Sequence, residues 1–410
     1  MAKKLILNRR KTIAIVGGAG FSFPSLLKAQ KYSAPGVYIE ETGPGAPAIH
    51  GIETSIAAFV GVASSIQPEN EIVSVSSFDE VKRYIGGREE KLFPTFYSAI
   101  KSFFENGGTR ALIVNAGHQG GAYEDEGVPL LAKALDVLDG AKEHRFNLLY
   151  LPTAEKYFGD AMPELSALYA RALSAARSRR AMLLIDGCEN PADASAWRAG
   201  LGLDNPDVAA FAPRLMASDC QKHSFGAGGA VAGVITRTDQ SRGVWKAPAG
   251  VEASIRGSLT QRQYTQSELI KLTQHNINAI REISASSAPV VWGARTLSSD
   301  PEWKYIPVRR YFHYLEASIE EGTHWVAFEP NDVALWSAVK TNVGAFMETQ
   351  FRAGALAGTR PSESYYVRCG LGETMIQSDI NNGRMVIDVG FAPLKPAEFV
   401  GIRITKKMTA

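Results

Sequence analysis

Apolar positions fall along the chain in two textures. Thr54-Ser-Ile-Ala-Ala-Phe-Val-Gly61 is β-branched and continuously apolar, the pattern of a buried strand. From Ser77 to about Val244 such runs alternate with helical spacing. This stretch predicts a helix over 93–106 that stops at Gly107-Gly108, a strand over 110–115, and strands over 147–152 and 181–186 separated by a helix over 163–178. A further strand is expected over 208–215. Strand, helix, strand at this spacing implies an α/β layer whose strands are at least partly parallel.

After Gly226-Ala-Gly-Gly-Ala-Val-Ala-Gly233, which reads as irregular, the texture changes. Helices are expected over 267–283 and 308–321 around a strand over 289–292. A third helix covers 332–352, with Asp332 as its cap and Val333, Leu335, Trp336, Val339, Val343, Phe346 and Met347 as its apolar face. Strand-like segments over 384–391 and 398–405, split by Pro393 and Pro396, close the chain. In the second of these, Val400, Ile402 and Ile404 alternate with Arg403 and Thr405. An apolar strand at a chain end is an aggregation hazard unless something pairs it.

Composition narrows the function classes. The chain has 410 residues, 45% hydrophobic and 21% charged, enough for a large core and two or three domains. Its 44 Lys and Arg against 42 Asp and Glu give a net charge of +2 without long like-charge blocks, so neither nucleic acid nor an anionic membrane is an expected partner. Cys188, Cys220 and Cys369 lack CxxC spacing, and the histidines do not cluster at metal spacing, so no metal is expected. No cofactor is expected either. Gly17-Gly-Ala-Gly20 follows a strand-like run, but Phe23 stands where the third glycine of a dinucleotide turn belongs. The chain carries no GxxxxGK[ST], HExxH or GxSxG motif, and Asp186-Gly-Cys188 reads as a polar loop after a strand rather than a catalytic group.

Arg9-Arg10 followed by the apolar run 12–19 has the outline of an export signal, but Gly17, Gly18, Gly20 and Pro24 break the run. The stretch reads instead as an N-terminal arm with one strand-like segment. The export reading keeps one alternative open, a self-assembling surface-layer or adhesive protein.

Pro35-Gly-Val-Tyr-Ile-Glu-Glu41 followed by Thr54–Gly61 resembles the opening of contractile tail sheath proteins. Phe103-Phe-Glu-Asn-Gly-Gly108, Arg242-Gly-Val-Trp-Lys-Ala-Pro248, Val291-Trp-Gly-Ala-Arg-Thr-Leu297, Trp325-Val-Ala-Phe-Glu-Pro-Asn331 and Ala392-Pro-Leu-Lys-Pro-Ala-Glu-Phe399 are similar to that family in the same order. The residues before Tyr32 exceed the short leader of the family.

The resemblance implies a mixed α/β fold without catalysis. It has an arm over 1–31, a discontinuous tube-facing inner domain over 32–61 and 244–395, an inserted outer α/β domain over 62–243, and a C-terminal arm strand over 396–410. Subunits of this family stack as hexameric rings around an inner tube, between a baseplate and a terminator or cap, and contract while their arms keep them linked. Val37, Tyr38 and Ile39 at one end, and Phe399, Val400, Ile402 and Ile404 at the other, are then the candidates for strand donation. Assembly is expected in the cytoplasm. Two helices are candidates for gripping the tube through charge complementarity: one carries Arg309 and Arg310, and the other, which is favoured, carries Lys340, Glu348 and Arg352.

Overall fold

The computed structural model describes residues 3–6, 47–62, 71–85, 94–117, 123–152, 162–218, 220–284 and 287–398. Strands β1 (Lys3–Ile6), β2 (Ile56–Gly61) and β3 (Ile72–Val75) precede helices α1 (Phe78–Ile85) and α2 (Pro94–Glu105). Next come β4 (Arg110–Asn115), α3 (Tyr123–Gly140), β5 (Leu148–Tyr150), α4 (Met162–Ser178) and β6 (Met182–Asp186). They are followed by α5 (Ala194–Leu201), β7 (Val208–Ala212), β8 (Leu215–Ala217), β9 (Cys220–Phe225) and α6 (Gly228–Arg242). Then follow β10 (Ser258–Thr260), α7 (Gln266–Gln274), β11 (Ile277–Arg281), β12 (Val290–Val291) and α8 (Ile306–Gly322). The last elements are α9 (Val333–Arg352), α10 (Pro361–Ser364), β13 (Tyr365–Arg368), α11 (Gln377–Asn381) and β14 (Asp388–Phe391).

Two compact units emerge. The described residues of 51–318 and 393–398 form the larger, and those of 1–50 and 319–392 the smaller. The larger is built on an eight-stranded sheet in the order β12-β11-β7-β6-β5-β2-β4-β3. Its interior pairings are parallel, and both outermost pairs are antiparallel. Strand β2 is buried along its whole length, and its side chains divide by parity. Ala58 and Val60 join Leu131, Leu135 and Leu138 of α3 and Leu168 of α4 on one face. Ala57 and Phe59 join Phe96, Ile100 and Phe103 of α2 and Val231 and Val234 of α6 on the other. Helices on both faces explain why the strands read as unbroken apolar runs.

The glycine-rich segment after β9 is not irregular but opens helix α6. Its glycines let α6 approach α2 at backbone distance: a Cβ at Gly229 would lie 2.2 Å from the Ala99 carbonyl oxygen, and one at Gly233 2.4 Å from that of Phe103. The helix expected over 267–283 is also two elements, α7 and β11. Asn276 at φ 59° turns the chain out of the helix, whereas Ile277, Ile280 and Ile283 keep a helical spacing in sequence that tertiary pairing overrides. The strand expected over 384–391 is confined to Asp388–Phe391. Strand β2 lies within the large sheet, and β11 and β12 extend it, so segments from before and after the middle region share one sheet.

Two buried charge clusters tie α8 into the larger unit. Asp239 of α6 accepts both ends of the Arg310 guanidinium at 2.7 Å and the Thr54 hydroxyl at 2.8 Å, while Arg310 also donates to the Thr54 carbonyl at 2.8 Å. Nearby on α8, Arg309 pairs with Asp207, stacks against the rings of Trp303 and Phe312, and leaves His313 to meet the same carboxylate at 3.1 Å. Burial opposes ionisation of Asp207, but hydrogen bonds from His313 and Arg309 outweigh it and hold the carboxyl far below its ordinary range. Burial depresses His313 in turn, against the pull of Asp207, so the folded chain favours neutral imidazole.

Gly233→Val should cost about 1–3 kcal/mol by overpacking α2 against α6. Gly344→Ala, which on α9 meets nothing within 4 Å, should be neutral or stabilise by up to about 1 kcal/mol; urea melts of the unassembled chain measure both. For His313, the unfolded chain takes up a proton more readily than the folded one, so its contribution is complete above the ordinary histidine pKa of about 6.5 and declines as pH falls. Melts repeated at about pH 7.5 and about pH 5.5 should therefore show the native chain losing more stability on acidification than His313→Gln.

Candidate assembly interface

The smaller unit is organised around a three-stranded antiparallel sheet in the order β1-β14-β13. Lys3 pairs with Phe391 and Ile6 with Asp388 on one side of β14, and Tyr365 with Phe391 and Arg368 with Asp388 on the other. All four residues of β14 are buried. Gly390 is required because a Cβ there would lie 2.1 Å from the Tyr366 ring, which covers the strand. The far edge of β13 has no strand partner among the described residues. Val37, Tyr38 and Ile39, and Phe399, Val400, Ile402 and Ile404, lie outside the described residues, as does most of the expected closing strand.

Helix α9 begins at Asp332, whose carboxylate accepts the Leu335 N–H at 2.9 Å, as its cap position predicts. Leu335, Trp336, Val339, Val343, Phe346 and Met347 are buried as expected. Val333 is not: it is 71% exposed, because the first turn precedes the packed face. On the polar side Lys340 reaches Glu373 at 3.7 Å, and Arg352 bonds Glu348 at 2.8 Å. Hydrogen bonds from Arg352 and from the Tyr365 hydroxyl hold the Glu348 carboxyl below its ordinary range. This face therefore presents charges of both signs, with Arg352 77% exposed.

The other candidate helix differs. The Arg310 guanidinium is 5% exposed against Asp239, and that of Arg309 is enclosed by Asp207, Trp303 and Phe312, so both charges are engaged inside the subunit. The spacing of charges on α8 is the same whether they meet solvent or buried carboxylates, and sequence alone does not separate the two cases.

At the end of β6 the Asp186 carboxylate is buried beneath the start of α6 and accepts the Tyr150 hydroxyl at 2.7 Å. Burial raises it above the ordinary carboxyl range, against the opposing pull of Arg214. A Cβ at Gly226 would lie 1.9 Å from this carboxylate and one at Gly228 2.3 Å from the Tyr150 ring, so the glycines serve this contact. Cys188 is buried and donates to the Asn190 carbonyl. Among the described residues no group of His, Cys, Asp or Glu could hold a metal ion, and no helix is long and apolar enough to cross a membrane.

Sequence reasoning placed Glu398, the last described residue, in the C-terminal arm strand and missed the contacts it makes. Its carboxylate accepts the Arg295 Nε at 2.7 Å and Nη2 at 2.6 Å, and Lys304 lies 3.4 Å away. The signal was present in two of the family-like segments, 291–297 and 392–399, which carry the opposite charges that meet.

The family described as phage tail sheath protein central domain matches residues 131–297, and that described as phage tail sheath C-terminal domain matches 298–406. Among solved structures, the helical sheath of the anti-feeding prophage (AFP) in its contracted state is similar at TM-score 0.74 and 30% identity, covering 92% of this chain and 99% of that one. The AFP baseplate structure contains a chain at TM-score 0.73 and 31% identity with the same coverage. The sheath complex of the PVC extracellular contractile injection system, also contracted, is similar at TM-score 0.72 and 26% identity, again covering 92% and 99%. No curated protein matches by sequence. The chain belongs to the contractile tail sheath family.

Proposed function

We propose that this sheath subunit stacks as hexameric rings around an inner tube and drives that tube through a target envelope when the lattice contracts. The carrying observation is its correspondence with contracted sheath subunits along 99% of their length. The open edge of β13 suits strand donation: a neighbour's arm laid along it would satisfy its backbone groups and keep subunits tethered while they rearrange. Phe399, Val400, Ile402 and Ile404 are the proposed donors from one end, and Val37, Tyr38 and Ile39 the partner segment from the other.

The smaller unit is the proposed tube-facing body, and α9 its grip, because Arg352 is exposed and Lys340 and Glu348 are half-exposed on its polar side, whereas Arg309 and Arg310 are buried against carboxylates. The partners are further copies of this chain, a tube protein, and baseplate and terminator or cap proteins. Assembly takes place in the cytoplasm, and the likeness to the AFP and PVC particles favours an injection particle. The role is structural. Energy for contraction comes from new contacts between subunits, summed over a lattice that is metastable when extended, and needs no nucleotide.

Negative-stain electron microscopy of the purified chain, full length and lacking residues 399–410, tests this reading. Long hollow tubes from the full chain and none from the truncated one are expected. Closed oligomers or monomers from both would overturn it. In the same preparations, Lys340→Glu with Arg352→Glu should leave sheath-only tubes intact while abolishing co-assembly with the tube protein; unchanged co-assembly would remove α9 as the grip.

A further inference from the structure

Resting on the reading of residues 396–410 as the arm that joins neighbouring subunits, we infer that Glu398, near its start, is the mechanical anchor of that arm. It roots the arm in the eight-stranded sheet of the larger unit, not in strand β14, which precedes it in sequence. One carboxylate takes three partners from the larger unit: Arg295 through two charge-assisted hydrogen bonds of 2.7 and 2.6 Å, the Tyr305 hydroxyl at 3.2 Å, and the Lys304 ammonium at 3.4 Å. The paired side chains of Arg295 and Glu398 are only 10% and 18% exposed, so the contact is little weakened by water or salt.

Arg295 is itself fixed to the sheet. Its backbone N–H donates to the Asn278 side chain at 2.7 Å. The Asn278 amide donates back to the Arg295 carbonyl at 2.7 Å and across to the Ala210 carbonyl of β7 at 3.0 Å. Arg295 Nη1 donates to the Thr273 carbonyl near the end of α7 at 2.7 Å. A pull on residue 399 therefore passes through Glu398 and Arg295 into the parallel ladder of β11 and β7.

The chain just before the anchor is held differently. Ala392 belongs to the smaller unit, where its N–H donates to the Ser364 carbonyl at 2.8 Å and its own carbonyl accepts the Ala357 N–H at 2.9 Å. Between Ala392 and Glu398 stand Pro393 and Pro396, which have no N–H to offer a ladder. With Glu398 held, tension in the arm reaches the larger unit and bypasses the four-residue strands of the smaller sheet, which a direct pull on β14 would strip one bond at a time. Burial alone would raise the Glu398 carboxyl, but hydrogen bonding and charge from Arg295, with Lys304, leave it below its ordinary range, so the anchor is ionised at neutral pH.

The test compares full-length chain, Glu398→Ala, Glu398→Gln and the deletion of 399–410, read by melting of the unassembled subunit and by tube length before and after contraction. Glu398→Ala is expected to form tubes that break roughly tenfold more often per unit length on contraction, with Glu398→Gln intermediate, and to melt below the native chain because Arg295 loses its carboxylate. Lys304→Gln with Tyr305→Phe removes two partners of Glu398 without touching the contacts of Arg295, and must raise breakage in the same direction while melting closer to the native chain. Tubes of Glu398→Ala and of this double variant that contract intact, while the deletion abolishes tubes, would overturn the anchor and leave the donated arm standing. Intact tubes from the deletion would overturn the arm itself.

Discussion

A buried ion pair fastens distant parts of the larger unit to one another. Asp239 and Arg310 meet at 4% and 5% side-chain exposure, and through Thr54 they join three stretches far apart in sequence: the approach to β2, the last turns of α6, and α8. Removing one member of such a pair typically costs about 3–5 kcal/mol, because the other is left as an uncompensated buried charge. Asp239 sits on α6, whose glycines at 229 and 233 bring that helix against α2 at backbone distance. Asp207 with Arg309 and His313 repeats the arrangement one residue along α8. A subunit that must transmit force benefits from a body held this way, since packed cores and satisfied charge clusters move as units rather than deform.

The smaller unit is organised on the opposite principle. Its sheet has three strands of four residues, one of them from the chain's beginning and two from near its end. Its central strand is fully buried between its two neighbours. An open edge is a hazard in a lone monomer and an asset in a polymer, where the neighbour that covers it also becomes the tether. The prolines at 393 and 396 lie between the last strand of this sheet and Glu398.

Much of this was legible in the sequence where one rule acted alone. Continuous apolar runs such as 56–61 and 182–186 gave buried parallel strands, and Asp332 gave the start of α9. Legibility failed where tertiary contact reversed a local signal. The glycines of 226–233 look like breakers until α2 is beside them, and Ile277 and Ile280 look helical until β7 pairs with β11. The charges of α8 look solvated until Asp207 and Asp239, each distant in sequence, meet them. The anchor at Glu398 shows the same limit, because its partners at 295, 304 and 305 become visible as a set only in three dimensions.

In the proposed lattice the subunits are linked by an arm rooted at Glu398 and laid on a neighbour's small sheet. Cryo-electron microscopy of the polymerised chain, at a resolution that traces the backbone, should show continuous density for residues 399–404 leaving the Arg295 site and running as a strand on the β13–β14 sheet of an adjacent subunit. The same residues folded back onto their own subunit's sheet, with no strand crossing between subunits, would contradict it.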